Sequence, residues 1–470
     1  MSSAPTLNVD VLAVACEFLT DVSDILSFAL TQCSTLRPVA TRWLLSMKPI
    51  DLADGASVRR FHAFLFADAP ARAPHIRALD IENPPRSPLL PTLPGDSSLL
   101  RDILTSCPHL EYISVLLQDG SRMSTDDPRA IDAILAIRSL RSLSIHGSSI
   151  GALDLLREVR APLRMLDISF RNSKISFGML DTYTPDEETY ANLRAANQRA
   201  QEIGRDGSYP PAWKKLDKVI CDPRMLYVLG LRCAIRIVVL DYCSAYTQWY
   251  AGSALRENPV PRLKLSFRLS QGLNVLDGLF SPELAGMLTH LTVCLVYDNG
   301  GGPRSDPEPG TVARLRWEEL LNRILSALRP LHKLAHLRIV VHSNVHHDPS
   351  FPVAYSGEFV RALRGSVFDF EKTAVLLVRP LPSLRYVFLT TSGYLADRRD
   401  TSSAPRRFWK AFERWYTPRA WRVAARGTGS IQEGEPVLIE LHEDVAETII
   451  RNEELVLSEA DKASLHLNEG

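Results

Sequence analysis

The sequence predicts an α/β chain in which short parallel strands alternate with helices and stack as a curved solenoid. Three observations carry this: a short apolar pattern recurs from residue 76 onward, amphipathic stretches fill the intervals, and a set of short helices precedes the first copy. The pattern is one apolar residue, two others, one apolar, one other, one apolar. Its last two positions fall on the same face of a strand, and its first packs where the strand starts. Strands and helices joined this way each leave an apolar face open, which stacking of neighbouring units closes. A doubly wound parallel sheet satisfies the same alternation and remains a rival.

Residues 1–50 read as a three-helix segment. "VDVLAVACEFL" sets Val9, Leu12, Ala13, Cys16 and Leu19 near one helical face, and "SDILSFALTQC" starts at an N-cap, Ser23 or Asp24, before Ile25, Leu26, Ala29, Leu30 and Cys33. "TLRPVATRWLL" supplies the third helix, with Pro38 near its first turn. So small a set buries little core of its own, so it must lean on the repeats or on another protein.

Residues 51–400 carry the repeats. The first copies are Ile76/Leu79/Ile81, Leu110/Ile113/Val115, Leu140/Leu143/Ile145 and Leu163/Leu166/Ile168. Then come Ile235/Val238/Leu240, Val260/Leu263/Leu265, Leu288/Leu291/Val293, Leu334/Leu337/Ile339 and Leu384/Val387/Leu389. Helical spacing marks "LLRDILTSC" (99–107), "PRAIDAILAI" (128–137), "GALDLLREV" (151–159) and "WEELLNRILSAL" (317–328). The clearest neighbours lie roughly 23 to 34 residues apart, the range of an irregular leucine-rich-repeat-like solenoid. Three stretches depart from it: a Pro-rich loop (83–98), an insertion (171–215) with an exposed polar helix, and a Gly/Pro loop (298–310). Residues 401–470 read as a cap, an aromatic-basic amphipathic helix at 404–426 followed by an acidic tail that pairs with it.

The chain is 45% hydrophobic and 23% charged, with 54 basic against 54 acidic residues, so it has no global field for nucleic acid or an anionic membrane. Seven cysteines form no Cys-x-x-Cys pair, which suits a reducing compartment, the cytoplasm or nucleus. The apolar stretch from Leu226 is interrupted by Arg232 and Arg236 and is not a membrane span.

Motifs that could carry chemistry are sparse. His342, His346, His347 and Asp348 offer a metal-like spacing but read as the end of a strand and its loop, so no metal site is assigned. "YDNGGGPRSDPEPG" sits where a phosphate cradle would, without the Gly-Lys-Ser/Thr ending, so no cofactor is assigned. "GDSSLL" at Gly95 matches an esterase block but reads as an N-cap at Asp96 or Ser97, leaving no catalytic residue and a hydrolase as the least supported class. Pro85, Pro88, Pro91 and Pro94 read as a stiff surface loop. Arg406, Arg407, Lys410, Arg414, Arg419 and Arg422 interleave with Phe408, Trp409, Phe412, Trp415, Tyr416 and Trp421 as a single-stranded nucleic-acid surface would. Chain neutrality favours a sealing role for them over nucleic acid.

In the first segment Leu7, Asp10, Val11 and Leu12, then Phe18 and Leu19, then Asp24, Ile25 and Leu26, then Cys33, Leu36, Arg37, Pro38 and Trp43 follow one another at a spacing that resembles the F-box. Asn8 stands where that family has Pro. With the degenerate repeats behind it, the chain resembles the F-box leucine-rich-repeat proteins abundant in mushroom-forming (basidiomycete) fungi. The resemblance implies a non-catalytic substrate receptor. Leu7, Asn8, Val11, Leu12, Phe18, Leu19, Ile25, Leu26, Cys33 and Leu36 would bind a Skp-type adaptor, through it a cullin, and the repeats would hold an unknown target protein. Each large apolar side chain buried on the adaptor would contribute about 1.5–3 kcal/mol before association costs. The alternative is a repeat scaffold whose first helices only cap the stack.

Overall fold

A computed structural model describes residues 11, 14, 18, 19, 24, 25, 27, 36–81, 96–116, 128–146, 156–169, 187–203, 213–269, 272–298, 314–347, 356–397, 411–424 and 437–465. The chain divides into two compact units, Met1–Phe170 with Ile203–Lys214, and Arg171–Glu202 with Lys215–Gly470. Both are α/β, with thirteen strands in all among the described residues.

The first unit holds β1 (Ile50–Asp51), β2 (Ala78–Ile81), β3 (Tyr112–Leu116), β4 (Ser142–His146) and β5 (Met165–Ser169). They pair in chain order and all in parallel, so each strand lies beside the one before it. Leu79, Ile113, Leu143 and Leu166 stand in one register row, and each is fully buried. The helices Leu36–Met47, Gly55–Phe66, Asp96–Ser106 and Pro128–Ala136 belong to this unit. Asp54 caps the second of them through a capping box, accepting from the Ser57 amide at 2.6 Å while the Ser57 hydroxyl faces the Asp54 amide at 2.9 Å.

The second unit holds β6 (Lys215–Cys221), β7 (Ala234–Cys243), β8 (Arg262–Arg268), β9 (His290–Asp298), β10 (His336–His347) and β11 (Tyr386–Asp397), again parallel and in chain order. One row runs Val238, Leu263, Leu291, Leu337, Val387 and the next Leu240, Leu265, Val293, Ile339, Leu389, all buried. Every predicted copy therefore ends on a strand. The strictly sequential order within each unit is that of stacked repeats; a doubly wound sheet reverses its order at a switch point. A copy not read from the sequence, Leu216/Val219/Cys221, forms β6, with Val219 beside Val238 and Cys221 beside Leu240.

Successive units of the second sheet are tied at the start of each strand by a forked backbone bond. The Pro261 carbonyl accepts from the Thr289 and His290 amides, the Thr289 carbonyl from Ala335 and His336, and the Ala335 carbonyl from Arg385 and Tyr386. This leaves few orphan backbone groups where chain direction changes.

Three expectations about the insertion and the C-terminal segment are corrected. The insertion helix Glu187–Ile203 forms, but it is docked rather than exposed: Arg194 and Asn197 are buried. Arg194 bonds the Glu257 carboxylate and the Tyr227 carbonyl with its guanidinium over the Tyr227 ring, and Asn197 donates to the Val228 carbonyl at 2.7 Å. Polar anchors, absent from a hydrophobicity pattern, hold it. The basic-aromatic segment is not a helix but β12 (Ala411–Val423), antiparallel to β11, followed by β13 (Leu438–Glu440), antiparallel to β12. β11 presents a twelve-residue edge, and pairing with it along Tyr386–Ala396 satisfies ladder groups that a helix would have left open. The seal is thus a strand with Trp421 buried, while Arg414, Tyr416, Arg419 and Arg422 are exposed.

The acidic tail also lies elsewhere than expected. Arg419 meets Glu440 at 3.3 Å, but the stretch after the helix Glu443–Asn452 turns back over the sheet of the second unit. The turn is a Schellman motif: the Leu455 amide donates to the Ile450 carbonyl at 2.8 Å and the Glu454 amide to Arg451 at 3.1 Å. Glu454 takes the left-handed position, φ 54°, where glycine is usual. Its carboxylate is held by Arg236 and by Arg262 at 3.2 Å, which explains why a side chain stands there. Leu455 then packs with Phe388, Ala420 and Ala446, and Leu457 and Leu465 pack with Cys294, Val296 and Val340.

Candidate functional site

Two regions gather functional side chains, one in each unit. In the first, helix Leu36–Met47 buries Ala40 and Leu45, and its Trp43 indole donates to the Leu19 carbonyl at 3.4 Å, holding the preceding segment. Ile25 is fully buried and Leu19 half-buried. Val11, Val14 and Phe18 are 53%, 51% and 80% exposed. Val11 and Val14 are helical and Phe18 lies in a turn. Of the residues assigned to adaptor binding, Val11, Phe18 and Leu19 thus reach solvent and Ile25 does not. Leu36 opens its helix. Leu7, Asn8, Leu12, Leu26 and Cys33 lie outside the described residues, as does the Leu36 side chain.

No protein-family model matches the chain, and no curated protein is significantly similar to it in sequence. Its function rests on its own residues.

The second region is the face of β7 to β10 beneath residues 453–465. Cationic side chains rise from this face and grip the backbone of the tail. Arg262 donates to the Glu453 carbonyl at 2.8 Å, Arg338 to the Leu455 carbonyl at 2.8 Å and Lys264 to the Val456 carbonyl at 2.6 Å. At the strand starts, His290 and His336 are register partners with rings 4.3 Å apart and nearly parallel, and Tyr386 stacks on His336 at 5.3 Å. His290 Nε2 lies 2.9 Å from Glu453 Oε2, and its Nδ1 lies 2.8 Å from the Thr289 hydroxyl.

Burial dominates the electrostatics here. It pushes His290 below the usual imidazole range, aided by Arg262, and pulls His336 down to about 4, aided by His290. Burial works to raise Glu453, but the His290 bond and the neighbouring His336 and Arg262 outweigh it and hold the carboxylate low. The bond from Arg236 does the same for Glu454.

Lys264 is pulled down to about 8, first by burial and then by Lys218. The folded value lies below the unfolded one, so between about pH 8 and 10.5 the unfolded chain binds more protons and folding gains as pH rises. The stability of the intact chain relative to Lys264→Met is expected to increase across that window and to be flat below it. Urea midpoints at pH 7, 8, 9 and 10 measure it; a falling difference would contradict the buried cation.

The histidines singled out by spacing are separated. His342 is buried with Nδ1 3.0 Å from Ser392 Oγ, on a strand that runs on to His347 rather than ending in a loop. The side chains of His346 and His347, and Asp348, lie outside the described residues, as do Gly95, most of the Gly/Pro loop, residues 83–95 of the Pro-rich loop, Arg406, Arg407, Phe408, Trp409 and Lys410. Asp96 opens the helix Asp96–Ser106, consistent with a helix start at "GDSSLL". The His290, His336 and Glu453 group was not read, its members being scattered along the chain. Repeat alignment could have found the first two, because "HLTV" and "HLRI" place histidine at one repeat position.

Proposed function

We propose that the chain is a non-catalytic substrate-receptor subunit of a Skp/cullin/F-box type ubiquitin ligase, acting in the cytoplasm or nucleus. Residues 7–45 would dock a Skp-type adaptor, and the stacked repeats would hold a target protein. The exposure of Val11, Val14 and Phe18 within a short stretch carries this reading, because large apolar side chains left in water gain by being covered. Sequential parallel strands give the kind of extended surface on which repeat proteins hold partners. No helix among the described residues is long and apolar enough to cross a membrane.

The second reading, a cap that recruits no ligase, is favoured by the complete burial of Ile25 and the Trp43 bond to Leu19, which fasten the segment to its own chain. Titration of a purified Skp-type adaptor against the intact chain and the Val11→Asp, Phe18→Asp double variant separates the two. Both substituted side chains are exposed, so the variant should keep its far-ultraviolet circular dichroism. Micromolar binding that weakens by about tenfold or more per lost contact is expected. No binding by the intact chain would leave the cap.

A further inference from the structure

The row of side chains at the starts of β8 to β11 reads Arg262, His290, His336, Tyr386, each facing the tail from one register position. His290 and His336 belong to separate repeats, and Glu453 reaches them from the tail. One nitrogen from each ring and one carboxylate oxygen all lie within 4.8 Å of one another.

One feature of this group asks for a further atom, and a second is compatible with it. His336 is nine-tenths buried, yet its Nδ1 has no hydrogen-bond partner. A buried polar atom left open is uncommon and calls for an explanation such as an ion. In His290, the Thr289 hydroxyl that meets Nδ1 itself donates to the Pro261 carbonyl at 3.0 Å. In the tautomer in which Nδ1–H donates to Thr289, Nε2 presents its lone pair on the side of Glu453 Oε2, as a metal ligand would. In that tautomer two acceptors face each other, and a cation between them would satisfy both.

We propose that His290, His336 and Glu453 bind one divalent late transition-metal ion, zinc being the natural occupant, and that the ion fastens the C-terminal segment to the strands. Two imidazole nitrogens and one carboxylate oxygen are a donor set that zinc accepts, with a fourth position left for water on the exposed side of Glu453. Donor atoms on one tetrahedral zinc lie about 3.3 Å apart, so the group must contract. Histidine χ2 is soft enough for the two stacked rings to toe in. Thr289 fills the outer role that orients a ligating imidazole. Arg262 Nη2 meets Glu453 Oε2 only at 3.4 Å, while its Nη1 is anchored on the Glu453 carbonyl at 2.8 Å and on Glu454 at 3.2 Å, so Arg262 can keep its place and yield that oxygen to the ion. Arg236 is engaged by Glu454, and the Arg385 charge reaches His336 from the next strand.

The test is calorimetric titration of the full chain, stripped with chelator, with zinc alone. The comparisons are His336→Gln, Glu453→Gln and Thr289→Val, and cobalt absorption reports the coordination. One equivalent is expected to bind the intact chain, with tetrahedral cobalt bands, and affinity should fall by about tenfold or more in each variant. Zinc should also raise the melting temperature and slow proteolysis after Asn452 in the intact chain only. Absence of stoichiometric binding would overturn the proposal. So would binding that is undiminished in Glu453→Gln, since the chain's 12 histidines include others that could take up the metal elsewhere. Glu453 is a third exposed, so this variant decides the matter even if His336→Gln misfolds.

Discussion

Replacing Leu455 and Leu457 by alanine is expected to destabilise the second unit severely. Leu455 is 1% and Leu457 5% exposed, and they enter different apolar clusters, one against Phe388 and Ala420, the other against Cys294 and Val340. Each truncation removes buried methyl groups that the rigid strands cannot follow inward, at about 2–5 kcal/mol. Because the clusters are separate, the double variant should lose clearly more than either single one. Total stabilities of domains are about 5–15 kcal/mol, so the double variant should sit near the edge of folding at 25 °C. Urea unfolding followed by tryptophan fluorescence measures it. A double variant within about 1 kcal/mol of the intact chain would mean that residues 453–465 are an appendage and not part of the core.

Gly393→Val should come next in effect. Gly393 lies on β11 between Ser343 of β10 and Trp415 of β12. A Cβ at this position would stand 2.7 Å from the Ser343 carbonyl oxygen and within the Trp415 indole. The indole covers the bare backbone as an aromatic covers a glycine across paired strands. Valine must displace both the ring and a carbonyl fixed in the ladder, an overpacking cost of about 3 kcal/mol or more. Shrinking the ring by Trp415→Leu should restore only part of the loss, because the carbonyl remains. Full restoration would show that the ring alone required glycine.

What the sequence made legible follows from what repeats. The strands were readable because Leu-x-x-Leu-x-Leu puts two apolar residues on one face every time, and the burial of Leu143, Leu166, Leu291 and Leu337 obeys that rule. β6 escaped notice because its last apolar position is Cys221 and it follows a long insertion. β12 was misread because Phe412, Trp415, Tyr416 and Trp421 also suit a helix, and nothing local says that the edge of β11 awaits a partner. Of the candidate docking surface, Val11, Phe18 and Leu19 were legible as apolar residues at a meaningful spacing, whereas the burial of Ile25 depends on packing partners that spacing does not reveal. The grip of Arg262, Lys264 and Arg338 on the tail joins residues more than a hundred positions apart, and a pattern read along the chain has no access to it.

The two-residue β1 and the three-residue β13 bear on how the molecule behaves when concentrated. A parallel stack of strands is in principle a template that another chain could extend, and long flat borders recruit such additions. Here the first sheet begins on Ile50–Asp51 and the second ends on Leu438–Glu440, the latter reached only after strand direction has been reversed twice. β1 offers an incoming strand only two residues, and β13 covers only Trp421–Val423 of β12, whose remaining edge carries Pro418 and the exposed Arg414 and Arg419, residues that discourage strand addition. Growth by strand addition is thereby discouraged at both of these borders.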